Sequence, residues 1–323
     1  MSAITALFIG GNGTISSAVS ALAIERGVDL TLLNRGTDTT RPPVEGARHI
    51  LGDASALPSL GDYDVVVNWR SFLPSAVESD VARFAGHTGQ YVYISSASAY
   101  QKPVARLPIT ESTPLRNDFW QYSRDKIASE DVLVAAYRSS GFPVTIVRPS
   151  HTYDRTAVVL EGGWTQLDRI RRGQPIVVHG DGTSLWTLTH NTDFARAFVG
   201  LLGNPRSIGE AYTVTSDEAL TWDAIAQLYA AAFGTTAEIV HVASETIART
   251  IPEWGPGLLG DKAHSVIFDN AKIKALVPEY TATVPFWRGA RETVEWHLEQ
   301  ASRQSVHAGL NAQLDALVAA ARS

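Results

Sequence analysis

Residues 4–16 decide the fold, because a short apolar run leads there directly into a glycine-rich loop: Ile4-Thr5-Ala6-Leu7-Phe8-Ile9-Gly10-Gly11-Asn12-Gly13-Thr14-Ile15-Ser16. The apolar run predicts a strand, and the small residues after it predict a helix over residues 14–26. Glycines allow a tight turn and a close backbone approach, and the free N–H groups at the start of a helix attract phosphate. We therefore expect the loop to bind the pyrophosphate of a dinucleotide, with contacts from Gly10, Gly13, Thr14 and Ile15.

The loop fits two spacings, Gly11-x-Gly13-x-x-Ser16 and Gly10-x-x-Gly13-x-x-Ser16. Beyond it, unbroken apolar runs alternate with helical stretches, and the runs end at Ile9, Leu33, Leu51, Val67, Ile94 and Val147. Further helices are predicted over residues 75–86 and 117–140. Unbroken runs are typical of parallel strands that helices cover on both faces. The alternation predicts an α/β fold of the Rossmann type, with a doubly wound parallel sheet.

The pattern changes after Pro149, where tryptophans and shorter strands become common. We expect residues 1–150 to form the dinucleotide-binding domain and residues 151–323 to form a smaller C-terminal α/β lobe for the substrate. The lobe is expected to be discontinuous, with a helix over about residues 191–203 returning to the first domain. Trp164, Trp186 and His190 either line a substrate cleft or fill the core of this lobe.

The composition narrows the classes of function. The 323 residues are 45% hydrophobic and 19% charged, which is ordinary for a globular protein. A net charge of −6 disfavours a general affinity for nucleic acid. The absence of cysteine excludes thiolate catalysis, disulfides and cysteine-ligated metals. No metal site is predicted, because the histidines are not at ligand spacing.

The cellular location is predicted from the lack of a membrane-spanning run and of a signal peptide in the sequence. No apolar run approaches the roughly 18 residues that cross a bilayer. The N-terminal run lacks the basic residues of a signal peptide and indicates a strand instead. We expect a cytoplasmic protein with no membrane partner.

The end of the second predicted strand bears on the choice of dinucleotide. NAD sites place Asp or Glu here to hold the ribose 2′-hydroxyl, whereas this chain has Asn34 and Arg35, with Arg41 nearby. A guanidinium suits a 2′-phosphate, so the sequence favours NADP over NAD. Arg35 also fits a solvated loop position or stacking on the adenine. Asp53, after the third strand, either accepts a hydrogen bond from the adenine amino group or caps the next helix.

A serine run and a Tyr-x-x-x-Lys pair supply catalytic chemistry. Ser95, Ser96 and Ser98 follow a predicted strand, and Tyr122 and Lys126 lie one helical turn apart. A tyrosine with its ordinary pKa near about 10 is a weak base at neutral pH, and a neighbouring ammonium favours the phenolate. We expect Tyr122 to exchange a proton with an alcohol or ketone, and a serine to hold the substrate oxygen. Lys126 is expected to assist Tyr122 and to hydrogen-bond the cofactor ribose.

Together these features resemble the extended short-chain dehydrogenase/reductase superfamily, and in particular its NAD(P)-dependent epimerase/dehydratase branch. The resemblance covers about residues 4–200 and includes Arg148-Pro149-Ser150-His151-Thr152-Tyr153, Gly180-Asp181-Gly182-Thr183 and Thr189-His190-Asn191-Thr192-Asp193. It implies that Ser96, four residues before Tyr100, is the catalytic serine, with Ser95 and Ser98 as alternatives. It also implies a homodimer built on the helices that carry Tyr122, and it implies that the cofactor is bordered by Asn68, Ser95, Pro149 and His151.

The sequence departs from the family pattern at several positions. Sugar 4,6-dehydratases of this family carry an Asp-Glu pair where this chain has Ala97 and Ser98, which argues against that reaction. Trp186 lies where sugar-nucleotide enzymes often carry a basic residue for the diphosphate, which weakens a nucleotide-sugar substrate. Asp154 stands where glycine is usual, and Arg70 stands where small residues are usual.

The features predict an NAD(P)-dependent enzyme that transfers hydride at a secondary alcohol or ketone of a small molecule. The reaction is either epimerisation, possible substrates including a sugar nucleotide, or one-way reduction of a carbonyl by NADPH. A third reading is a non-catalytic nucleotide- or RNA-binding regulatory protein. It rests on Asn34-Arg35-Gly36, which looks like the same strand end in chloroplast RNA-binding relatives of the superfamily.

Overall fold

The computed structural model describes residues 3–36, 41–53 and 60–323. The strands in these ranges are β1 Thr5–Ile9, β2 Asp29–Asn34, β3 Arg48–Leu51, β4 Tyr63–Asn68, β5 Thr88–Ile94, β6 Val144–Pro149, β7 His151–Tyr153, β8 Ile176–His179, β9 Leu185–Trp186, β10 Leu188–His190, β11 Ala211–Val214, β12 Leu220–Thr221 and β13 Ile239–Val242. The helices there are α1 Ser16–Glu25, α2 Pro74–Phe84, α3 Gln121–Ser140, α4 Trp164–Arg171, α5 Asn191–Val199, α6 Trp222–Ala232, α7 Ser244–Thr250, α8 Gly255–Gly257, α9 Ala271–Leu276, α10 Phe286–Leu298 and α11 Ala308–Arg322.

A parallel sheet of seven strands forms the centre of the described chain, in the order β11-β6-β5-β4-β1-β2-β3. Every neighbouring pair in it is parallel. The six strands from β6 to β3 follow the order typical of dinucleotide-binding α/β proteins. This confirms the predicted fold class. The direction of winding reverses between β1 and β4, and ligands of such sheets bind beyond the carboxyl ends of the strands at that point.

The apolar strands bury both of their faces, as the unbroken runs predict. Successive residues of β1 point to opposite sides, so Ala6 and Phe8 pack into one core and Leu7 and Ile9 into another. The first core also contains residues of α1 and α5, and the second contains residues of α2 and α3. Helices therefore cover the sheet on both sides.

The chain after β6 contributes to the central sheet as well as to the second lobe. Helix α5 packs against α1, and β11 pairs with β6 at the edge of the sheet. This strand was not predicted from the sequence, because its four residues give too short a pattern. Beyond the sheet, Trp164 and Trp186 lie in the buried core of the lobe. Of the two roles expected for these tryptophans, they therefore fill the core. None of the described helices is long and apolar enough to cross a membrane.

Candidate active site

A cleft of about 1240 Å³ opens along the carboxyl ends of the sheet strands. Apart from the alternative serine Ser98, its lining includes the residues that the sequence predicted for catalysis or cofactor binding, which are Gly10, Gly13, Thr14, Ile15, Asn34, Arg35, Asp53, Asn68, Ser95, Ser96, Tyr122, Lys126, Pro149 and His151. These residues are spread over more than 140 positions of the chain, and the parallel sheet brings them together because all its strands end at the same edge. Ser98 is absent from this lining.

The glycine-rich loop is closed by the side chain of Ser16. Its hydroxyl donates to the carbonyl of Gly10 at 2.9 Å and accepts from the N–H of Gly13 at 2.8 Å. Gly10 has a φ of 89°, and a Cβ atom there would lie 2.6 Å from the side chain of Arg70. The structure thus links the three positions of the Gly10-x-x-Gly13-x-x-Ser16 spacing. A larger residue at Gly10 would strain the backbone and collide with the wall of the cleft.

The loop has the donors that a dinucleotide phosphate requires. Helix α1 begins at Ser16, and no side chain caps its N-terminus. The first N–H groups of a helix lack partners within the helix and carry its positive dipole end. The residues present therefore fit the pyrophosphate of the predicted cofactor.

The end of the cleft that is expected to hold the adenosine is lined by Asn34, Arg35 and Asp53. Arg35 is exposed, so its guanidinium is accessible to a ligand. Asp53 lines the cleft, which is compatible with a contact to the adenine. The helix that Asp53 was alternatively expected to cap would lie in residues 54–59, outside the described residues. Arg41 contacts a different part of the site. Its guanidinium donates to the hydroxyl of Thr14 in the glycine-rich loop at 3.1 Å.

Tyr122 and Ser96 form the chemical centre of the cleft. The hydroxyl of Ser96 is near enough to the phenol of Tyr122 to lower its pKa. It also lies 2.9 Å from the hydroxyl of Ser98. Ser98 in turn accepts from Ser123 at 2.8 Å, away from the cleft. Ser95 donates its hydroxyl to Glu130 beneath the cleft. Of the three candidate serines, only Ser96 is near enough to the phenol of Tyr122 to affect its pKa, which favours Ser96 as the catalytic serine.

The pKa of Tyr122 differs from the sequence-based expectation. Burial raises it above the ordinary value, the hydrogen bond from Ser96 lowers it, and the carboxylate of Asp261 raises it. The ammonium of Lys126 lies 5.8 Å from the centre of the phenol ring and was expected to favour the phenolate. In this structure desolvation outweighs that attraction, so the protein by itself keeps the phenol protonated.

Lys126 is buried and hydrogen-bonded to the backbone. Its ammonium donates to the carbonyls of Ile94 at 2.7 Å and Ser71 at 3.0 Å. Burial lowers its pKa to about 7, although Glu130 acts in the opposite direction. The expected bond to the cofactor ribose therefore competes with two carbonyls that already accept from this side chain. Lys126 nevertheless lines the cleft, next to the ends of β4 and β5.

Two buried polar networks hold the floor of the cleft. In the first, the Nε and Nη2 atoms of Arg148 donate to the two carboxylate oxygens of Glu130, at 2.9 and 2.5 Å. Glu130 also accepts from the hydroxyl of Ser95. Asn68 donates to Asp80 at 2.7 Å. Burial raises the pKa of Asp80, while hydrogen bonds from Ser71, Tyr91 and Asn68 lower it. These contacts were not predicted, because they join segments that are distant in the sequence.

His151 borders the cleft as a hydrogen-bonded residue of β7. Its Nδ1 accepts from the indole N–H of Trp186 at 3.2 Å. Burial, together with the charge of Lys262, lowers the pKa of His151 to about 3. The imidazole is therefore neutral at physiological pH. Trp186 is buried beside it, at the position where the family resemblance implies a basic residue.

A second cavity of about 500 Å³ meets the cleft at Tyr122. Its walls include Trp120, whose ring centre lies 5.0 Å from that of Tyr122, and Trp254. Lys262 also lines it and pairs with Glu161 at 2.8 Å. No pattern in the sequence predicts this cavity, because its lining residues are far apart in the chain. They come from the start of α3 and from three segments of the second lobe.

The segment before α3 is anchored by a single buried side chain, which sequence reasoning missed. The amide of Asn117 donates to the carbonyls of Ser98 at 3.0 Å and Gly260 at 2.7 Å, and its oxygen accepts from the N–H of Trp120 at 3.0 Å. Asn117 thus ties together the serine segment, the second lobe and the start of the helix that carries Tyr122. Its signal in the sequence is a lone asparagine before a helix, which is also typical of an ordinary cap.

Comparison with solved structures shows the same fold. UDP-glucuronic acid 4-epimerase from Bacillus cereus superposes with a TM-score of 0.74, covering 92% of this chain and 99% of that one at 16% identity. dTDP-glucose 4,6-dehydratase from Bacillus anthracis superposes with a TM-score of 0.72, covering 93% of this chain and 98% of that one at 18% identity.

Two curated proteins are similar in sequence, each at 28% identity. One is the chloroplast stem-loop binding protein of 41 kDa b from Arabidopsis thaliana, matched over 73% of this chain and 65% of its own length. The other is 2'-dehydrokanamycin reductase from Streptomyces kanamyceticus, matched over 58% of this chain and 54% of its own length. The chain therefore spans less than two thirds of the length of either relative.

A family model settles the classification. The model of the NAD dependent epimerase/dehydratase family matches residues 6–215, which include the glycine-rich loop, Ser96, Tyr122 and Lys126. This confirms the resemblance on which the sequence-based expectation of an enzyme was built. The chain belongs to the NAD dependent epimerase/dehydratase family.

Proposed function

We propose that the protein is an NAD(P)-dependent oxidoreductase that interconverts a ketone and a secondary alcohol on a sugar-like ring. The observation that carries this proposal is the position of Tyr122 at the junction of the two cavities. A dinucleotide in the cleft and a small molecule in the second cavity would both border its phenol. This is the arrangement that a proton-transfer residue needs when hydride moves between two bound molecules.

Ser96 and Tyr122 have separate roles in the proposed reaction. A nicotinamide held in the cleft would supply or accept the hydride. Ser96 holds the substrate oxygen through its hydroxyl and keeps the phenol of Tyr122 oriented. Tyr122 donates a proton to that oxygen as it gains negative charge, or accepts it in the reverse direction.

The protonation state of Tyr122 favours reduction. Because burial raises its pKa, the phenol carries its proton at neutral pH and is ready to act as an acid. Oxidation of an alcohol requires the phenolate, which the positive ring of an oxidised cofactor would favour. We therefore propose reduction of a ketone as the principal reaction. The reductase among the curated relatives agrees with this direction.

The second cavity offers the chemistry that recognises a polyhydroxylated ring. The faces of Trp120 and Trp254 suit the apolar face of a sugar, and the paired charges of Lys262 and Glu161 suit its hydroxyls. Both cations that line the cavity have partners, since Lys262 pairs with Glu161 and Arg124 donates to Gln121 at 2.8 Å. The cavity therefore suits a sugar-like ring better than a diphosphate.

Epimerisation is the second candidate reaction, and the family description favours it. An epimerase returns the hydride to the same carbon and keeps its cofactor bound, whereas a reductase must exchange it. Gel filtration of the purified protein, followed by denaturation and quantification of released NAD(P), separates the two. Retention of close to one cofactor per chain supports epimerisation, and a cofactor-free protein that oxidises NADPH with ketosugars supports reduction.

RNA binding is a candidate from another class, favoured by the name of the Arabidopsis relative. The net charge of −6 opposes it, because affinity for RNA depends largely on neutralising phosphates. Titration of a stem-loop RNA at two salt concentrations is the test. Tight binding with a steep loss of affinity at higher salt would favour this function over the proposed one.

A further inference from the structure

Arg41, which lines the cofactor cleft, forms an ion pair with Asp154. The Nη2 atom of Arg41 lies 2.6 Å from the carboxylate of Asp154, and its Nε atom lies 3.1 Å from the same oxygen. Nη2 also donates to the hydroxyls of Thr14 at 3.1 Å and Thr156 at 2.6 Å. One guanidinium thereby connects three segments of the chain.

The three segments come from different parts of the fold, and two of the contacting residues, Thr14 and Arg41, line the cleft. Thr14 lies in the glycine-rich loop directly before α1, Asp154 follows β7, and Arg41 belongs to the connection between β2 and β3. The pair is nearly closed to solvent, with 13% and 9% of the two side chains exposed. Asp154 is fixed in turn by Thr156, whose N–H and hydroxyl donate to its other oxygen at 2.8 and 2.6 Å.

The burial of the Arg41–Asp154 ion pair is not explained by stability alone. Removing two charges from water costs free energy that their attraction does not always restore, so a buried pair is weak evidence for a role in stability. Here the pair lies against the loop that is built for phosphate, and Arg41 itself lines the cleft. Among the residues that the structure describes, no partner of the Nη1 atom of Arg41 is found, so this nitrogen has donors to offer to a ligand.

We propose that Arg41 binds the diphosphate of the cofactor, and that Asp154 holds the guanidinium in place as a strap across the bound dinucleotide. A guanidinium has donors enough to contact a carboxylate and a phosphate together. Because the strap joins the glycine-rich loop to the second lobe, it must open before the cofactor leaves. It therefore retards dissociation. This inference rests on the proposed function, since it requires a dinucleotide in the cleft.

The proposal assigns Arg41 to a group that NADH and NADPH share. The sequence alone placed Arg41 near the 2′-phosphate, where it would distinguish the two cofactors. Its contact with Thr14 places it at the phosphate loop instead. Loss of Arg41 should therefore weaken both cofactors by the same factor, whereas loss of a 2′-phosphate contact weakens NADPH alone.

The test uses the full chain with NADH, NADPH and ADP as probes. Dissociation rates of the reduced cofactors are measured by stopped-flow displacement, following energy transfer from tryptophan, and ADP affinity by calorimetry. For Arg41→Met we expect about a tenfold to hundredfold faster release of both cofactors and a similar loss of ADP affinity, the scale of one charge-assisted hydrogen bond. For Asp154→Asn we expect a smaller acceleration, because the guanidinium remains but is no longer held.

The controls separate the possible outcomes. Arg48→Met removes an exposed cation of β3 that does not line the cleft, and it should change none of the rates. Arg41→Lys keeps a charge and supplies a second variant if Arg41→Met does not fold. An effect confined to NADPH, or rates equal to the wild type in both Arg41 variants, overturns the strap. Failure of the wild type to bind any of the three probes overturns the proposed function instead.

Discussion

Ser96 lies beside Tyr122 and lowers the pKa of its phenol, at the point where the large cleft meets the second cavity. The two residues lie on different elements, since Ser96 follows β5 and Tyr122 opens α3. Asn117 connects the two segments by donating to the carbonyl of Ser98 while its oxygen accepts from Trp120. The relative position of Ser96 and Tyr122 thus depends on a buried asparagine.

Replacement of Tyr122 by Phe tests the proton transfer. The variant keeps the ring and loses the acidic hydroxyl, so we expect turnover to fall by about a hundredfold or more while cofactor affinity is unchanged. Steady-state kinetics and NAD(P)H fluorescence titration measure the two quantities. Tyr137→Phe, on an exposed position of the same helix, is the matched control. Turnover of Tyr122→Phe within tenfold of the control would contradict the assigned role.

Replacement of Arg35 by Glu tests the preference for NADP. Arg35 is exposed at the adenosine end of the cleft, and a carboxylate there would repel a 2′-phosphate and accept from a 2′-hydroxyl. We expect the Kd for NADPH to rise by about tenfold or more, with little change for NADH. Arg48→Glu makes the same change of charge outside the cleft. Equal effects on the two cofactors would show that Arg35 does not contact the 2′-phosphate.

The free energy of unfolding should depend on pH through Lys126. Its pKa in the folded protein is lowered to about 7 from the ordinary 10.5, so between these pH values the unfolded chain binds a proton that the folded chain does not. Stability therefore rises with pH through this window. We expect the wild type to gain about 2–3 kcal/mol relative to Lys126→Met between pH 7 and 9. Urea unfolding measures this, and parallel pH profiles would refute it.

The buried ion pair beneath the serines should matter for stability. Glu130→Gln leaves the guanidinium of Arg148 without a counter-charge in a position that excludes water. We expect a loss of about 3–5 kcal/mol in the free energy of unfolding. Asp118→Asn breaks the exposed pair with Arg116 and should cost far less, because water and salt screen exposed charges. A similar cost for both variants would mean that burial of the first pair is incomplete in solution.

Substrate recognition by the second cavity is tested by Glu161→Gln. This change releases Lys262 from its ion pair and removes a hydrogen-bond acceptor for a hydroxyl group. We expect the KM for a ketosugar to rise about tenfold, with the Kd for NADPH unchanged, because Glu161 does not line the cofactor cleft. Glu245→Gln, which lies outside both cavities, is the control. A parallel rise in the cofactor Kd would indicate a general disturbance of the fold.

The sequence by itself determined the features that depend on neighbouring residues. The glycine-rich loop and the strand before it predicted the phosphate end of the cleft, and the spacing of Tyr122 and Lys126 placed both on one helical face. The unbroken apolar runs predicted the parallel sheet, because strands covered on both faces have no polar side. Since the strands of such a sheet end at one edge, the residues that follow them were also expected to lie around one cleft.

Only the tertiary structure decided how these residues are partnered. It gave Ser95 and Ser98 partners of their own, in Glu130 and Ser123. It raised the pKa of Tyr122, where the nearby lysine had suggested the opposite, and it paired Arg41 with Asp154 from 113 positions away. Spacing along a chain fixes which side chains share a turn or a strand. The direction of a hydroxyl, the loss of water around a phenol and the meeting of distant loops depend on packing between segments, which no local pattern encodes.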